Sequence, residues 1–83
     1  MKPTKAEKEW MKKLEKLLCN PPSDRMGFFT IGDRFLSVYD LTKEPEINQI
    51  MDRKGVDFCI VVHELEASLG TIRSQANIHS TSG

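Results

Sequence analysis

The sequence predicts an α+β fold in one small domain. Three observations carry this: an amphipathic helical stripe opens the chain, two β-rich runs flank a central glycine, and a continuous apolar run follows Gly55. The chain has 83 residues, which suits a single domain with a modest core. That domain is expected over residues 1–79, with 80–83 as a frayed, disordered tail.

The first element is a helix over about 5–19. Thr4 and Glu7 fit a capping box, in which each side chain bonds the other residue's backbone N–H. Trp10, Met11, Leu14, Leu17 and Leu18 recur at helical spacing and form one apolar face. Asn20-Pro21-Pro22 ends the helix, because proline cannot continue it. Next comes a hairpin. Phe28–Ile31 and Phe35–Leu41 are rich in β-formers and flank Gly32-Asp33, which suits a tight two-residue turn.

Thr42–Lys54 reads as a second helix. Pro45 fits its first turn, Ile47, Ile50 and Met51 make its stripe, and Gly55 is a natural stop. Phe58–Val62 is an unbroken apolar run and predicts a strand covered on both faces. Thr71–His79 alternates apolar and polar residues and predicts a last strand, with Glu66–Gly70 as a loop. Leu65, Leu69, Ile72 and Ala76 also fit a helix. Gly70 and a run of weak helix formers stand against it. The expected order is therefore α-β-β-α-β-β, an antiparallel sheet with both helices on one face. A helical last segment would make it α-β-β-α-β-α.

The net charge is zero, but it is unevenly spread. Residues 1–20 hold six lysines against three glutamates, and residues 40–66 hold seven acids against three bases. This is not the strongly basic balance of a dedicated duplex-DNA binder. No apolar run approaches a membrane span, so no membrane partner is expected. The lysine-rich start lacks the apolar stretch of a signal peptide. Cys19 and Cys59 sit in apolar flanks and read as reduced core residues of a cytoplasmic protein.

Catalytic and metal motifs are missing. His63-Glu64 begins a zinc-protease pattern, but Ala67 stands where the second histidine belongs. On a strand, Cys59 and His63 would lie roughly 13 Å apart, too far to share a metal. No glycine-rich phosphate loop or nucleophile elbow is present. No cofactor, metal or enzymatic activity is expected.

Two surfaces remain. Lys5, Lys8, Lys12 and Lys16 form a basic stripe about 16 Å long, able to track phosphates. The second is a sheet face. With Leu36 and Val38 turned toward the helices, the other side would carry Phe35, Tyr39 and Val61 beside the polar row Arg73, Gln75, Asn77 and His79. Aromatics and arginine with a polar border are what protein interfaces favour. The expectation is a non-catalytic binding or regulatory protein that meets a protein partner, or a second copy of itself, through this face. The alternative is a single-stranded nucleic-acid binder that stacks bases on the aromatics and meets phosphates with the lysines. A one-residue register error would exchange the two faces.

Overall fold

A computed structural model describes residues 1–80. The tail expected over 80–83 lies, beyond Ser80, outside the described residues. The fold is α+β. Helix α1 spans Lys5–Cys19, β1 Met26–Phe29, β2 Phe35–Asp40, α2 Glu44–Lys54, α3 Phe58–Glu64 and β3 Ser68–Arg73, with a 3-10 turn at Leu41–Lys43 leading into α2. The three strands form one antiparallel sheet in the order β1-β2-β3.

Helix α1 has the expected bounds and the expected capping box. Thr4 N donates to Glu7 Oε1 at 2.7 Å and Glu7 N donates to Thr4 Oγ1 at 3.1 Å. The hairpin is present too, but its connection runs over residues 30–34 rather than two residues. Gly32 takes a φ of +87° there, and Asp33 Oδ1 accepts from Phe35 N at 2.8 Å to start β2. Helix α2 stops at Gly55, whose left-handed φ of 65° lets its N–H reach Met51 O at 2.8 Å.

The order α-β-β-α-β-β is corrected to α-β-β-α-α-β, because Phe58–Val62 belongs to a helix and not to a strand. An apolar run of this length fits either state. The deciding pattern is Phe58, Val61, Val62 and Leu65, spaced to put one helical face on the core. Val61 and Val62 are buried, while Ile60 just before them is exposed. The helical alternative for the last segment also fails, since Ser68–Arg73 is a strand. That strand begins inside the stretch read as a loop. It ends at Arg73, after which residues 74–80 fold back across the hairpin end. Ser74 N donates to Arg34 O and Ile78 N to Asp33 O, each at 2.6 Å.

The core lies between the sheet and the α2–α3 pair. Tyr39, Ile47, Val61, Val62 and Ala67 form its centre, with Phe29, Leu41, Ile50, Met51, Phe58 and Leu65 packed around them. Phe29, Tyr39 and Phe58 meet edge to face, with ring centroids 5.0–5.8 Å apart. The expected sheet orientation is therefore reversed. The Tyr39 side of β2 faces α2 and α3, and the Leu36 side faces away. The register shifts between Val38 and Tyr39, and both of these neighbours, on opposite sides of β2, are buried.

Gly27 is paired with Tyr39 across the strands. A Cβ on Gly27 would stand 2.5 Å from Tyr39 Cε1 and 2.7 Å from Leu41 Cδ2. Only glycine leaves room for the buried ring. Gly27→Ala is expected to cost about 1–3 kcal/mol through overpacking. Ile47→Ala, at a position with no solvent exposure, is expected to cost about 2–5 kcal/mol. Urea unfolding of both variants checks this, and an unchanged midpoint for Gly27→Ala would contradict the placement of the ring.

Candidate functional site

Helix α1 stands apart from the core. Every residue from 1 to 20 is exposed, and α1 buries none of its side chains. Its apolar stripe is nevertheless continuous: Trp10 is 64% exposed, Met11 50% and Leu17 71%. The shape reflects this. The radius of gyration is 15.1 Å and the extents are 47 × 27 × 21 Å, whereas a compact chain of this length has a radius of about 12 Å.

The stripe does not face open water along its whole length. Trp10 and Leu14 form one wall of a groove of ≈ 690 Å³. Leu36 and Ile72, cross-strand partners on the outer sheet face, form its floor. Arg73 at the end of β3 and the segment after it, with Ser74, Gln75, Ala76 and Ile78, supply the remaining wall. Both helices were expected on one face of the sheet. Instead α2 and α3 cover one face, and α1 lines a groove over the other.

The residues expected to meet a partner divide into two groups. Tyr39 and Val61 are 6% and 0% exposed and belong to the core, so the aromatic platform built on Phe35 and Tyr39 does not exist. Val61 left the expected surface because its segment is helical. Phe35 is exposed, as are Arg73, Gln75, Asn77 and His79. Of these, Arg73 and Gln75 line the groove. The alternation that would have aligned the polar row stops at Arg73, where β3 ends. Lys5, Lys8, Lys12 and Lys16 are all exposed along α1, on the side opposite its apolar stripe. The groove residues Trp10, Leu14, Leu36 and Ile72 were not singled out as partner-binding, although the helical periodicity of the first two was plain.

The cysteines and His63 need a second correction. Cys19 is exposed and Cys59 only half-buried, so neither is a core cysteine. Because α3 is a helix, Cys59 and His63 lie one turn apart rather than at strand spacing. Among the described residues no set of three His, Cys, Asp or Glu side chains is placed to hold a metal.

Among the described residues two groups titrate away from their ordinary values, and both sit where β2 turns into α2. Tyr39 is pushed above its ordinary 10.0 by burial, and further by donating to Glu44 Oε1 at 3.1 Å. Asp40 is held below its ordinary 3.8 chiefly by the Thr42 hydroxyl, which donates to Oδ1 at 2.6 Å. The Thr42 N–H and the Arg25 guanidinium, 3.8 Å from Oδ2, add to this. Asp40 also fixes backbone: its N–H donates to Ala67 O at 2.8 Å, at the start of β3. Both groups are thus accounted for as joints of the fold. Compared with protein-family models, with curated proteins and with solved structures, the chain matches none.

The signs of the pH dependence follow. Tyr39 has a raised value, so its contribution to stability is full below 10.0 and is lost as pH climbs through its higher folded value. Asp40 has a lowered value, so its contribution is full above 3.8 and is lost as pH falls through its lower folded value. Tyr39→Phe should flatten the alkaline limb of a stability–pH curve, and Asp40→Asn the acid limb. Urea midpoints measured across pH test both. An acid limb unaltered in Asp40→Asn would remove this role.

Proposed function

We propose that the chain is a non-catalytic binding protein whose working surface is the apolar stripe of α1 together with the groove beneath it. The observation that carries this reading is that all fifteen residues of a strongly amphipathic helix are exposed. A contiguous apolar patch of this kind marks an interaction site. Trp10 beside a groove edged by Arg73 and Gln75 has the composition of an interface centre with a polar rim. The partner is a protein, and the chain acts by occluding or bridging it. The two unpaired cysteines suit a reducing compartment such as the cytoplasm.

The lysines on the opposite side of α1 support a second reading, in which that side tracks the backbone of a single-stranded nucleic acid. It has lost its stacking partner in Tyr39 and rests on charge alone. Salt separates the two readings, because phosphate contacts weaken steeply as salt rises and apolar contacts do not.

The test compares capture of a partner by the wild type, by Leu14→Asp with Leu17→Asp, and by Lys8→Glu with Lys12→Glu, at low and moderate salt. Labelled single-stranded RNA is titrated in parallel. The expected outcome is a protein partner retained at both salts, lost with the leucine variant and kept with the lysine variant. At these exposed positions each substitution should alter folding stability by about 0.5 kcal/mol or less. Salt-sensitive RNA binding that the lysine variant abolishes would transfer the function to the second reading.

A further inference from the structure

We infer that the outer edge of β3 is a self-association surface, on which a second copy of this chain pairs antiparallel to extend the sheet across a two-fold axis. This surface is the strand edge rather than the apolar stripe of α1, although Arg73 at its end also borders the groove. Strand β3 is last in the order β1-β2-β3, so among the described residues no strand covers its outer edge. All six of its residues are exposed. Ser74 N donates to Arg34 O, and the register pairs Arg73 with Phe35. In an antiparallel ladder this turns the N–H groups of residues 70, 72 and 74 toward β2 and those of Thr71 and Arg73 outward.

Edge strands are ordinarily guarded by proline, lysine, inward charges or extreme shortness. The opposite edge, β1, has only four residues. Ser68–Arg73 contains no proline, lysine or acid, and its single charge stands at its end. An open edge of this kind is a template for another strand.

Charge selects the occupant and its direction. Glu64, at the end of α3, and Glu66 lead into β3, while Arg73 ends it and Arg34 lies beside Ser74. All four are exposed. Neither Glu66 nor Arg73 has an ion-pair partner among the described residues. The strand is therefore acidic at one end and basic at the other. An antiparallel second copy sets each acidic end against a basic end, twice, by symmetry. A parallel copy would set like against like. With the two-fold at Gly70 or Thr71, Arg73 of one copy falls about 3–10 Å along the strand from Glu66 of the other.

Sedimentation equilibrium of the full chain over a concentration series tests this. The wild type should approach twice the 9.5 kDa mass of one chain. Thr71→Pro removes an outward N–H at an edge position that tolerates proline and should return the single-chain mass. Arg73→Glu, a surface change that leaves the hydrogen bonds in place, should weaken the dimer by about tenfold or more. Adding Glu66→Arg to it should restore the mass. Far-UV circular dichroism shows that each variant is folded. A single-chain mass for the wild type at every concentration overturns the inference, as does a dimer indifferent to both β3 variants. A dimer lost in Leu14→Asp with Leu17→Asp but kept in Arg73→Glu also overturns it, and assigns self-association to α1.

Discussion

The ring of Tyr39 fills the space that a side chain at Gly27 would occupy, and the rest of the fold is arranged around that contact. From this position the ring touches Phe29 on β1 and Phe58 on α3, and its hydroxyl reaches Glu44 at the start of α2. One side chain thus ties both outer layers of the core to the central strand. The next residue, Asp40, does the same through polar atoms. It holds Arg25 before β1, Thr42 before α2 and Ala67 before β3. Two consecutive residues, one apolar in its packing and one ionic, fix how sheet and helices meet.

A chain this short can build one layer interface well, and here it is the one between the sheet and α2–α3. The outer face of the sheet is left with a groove where a second interface would be. The contrast between the two sides is physical. On the inner side Ile47 and Val61 are wholly removed from water. On the outer side Ile72 is 52% exposed and the helix above it has no buried residue. The stability of the domain resides on one side of the sheet and its available apolar surface on the other.

Much of this was readable from the residues. The capping box at Thr4 and Glu7, the prolines after Asn20 and the left-handed glycine at 55 are local signals, and the elements they bound are where they point. The errors arose where local signals are silent. Phe58–Val62 is apolar throughout, and only its extension to Leu65 reveals helical spacing. In β2 the wholly aliphatic side is the one a pattern of hydropathy turns inward. A tyrosine whose hydroxyl finds a carboxylate can be buried as fully as a valine, and a glycine opposite it makes the room. The polar row after Gly70 alternates correctly only as far as Arg73, because alternation persists in sequence after the strand has bent away. The groove escaped notice for a different reason. An amphipathic helix has the same sequence pattern whether its stripe is satisfied by its own domain or by another molecule.

The exposure of α1 has a further consequence for how tightly anything can hold it. A fifteen-residue helix that buries none of its side chains draws little stability from the core, and helices of this length with little tertiary support are marginal in water, formed for only a fraction of the time. Whatever docks on the stripe meets that fraction alone, so the apparent dissociation constant is the intrinsic one divided by the helical population. The two hydrogen bonds between Thr4 and Glu7 raise that population. If the stripe is the working surface proposed above, the hydrogen bonds that cap the helix at Thr4 and Glu7 tune affinity through the helical population.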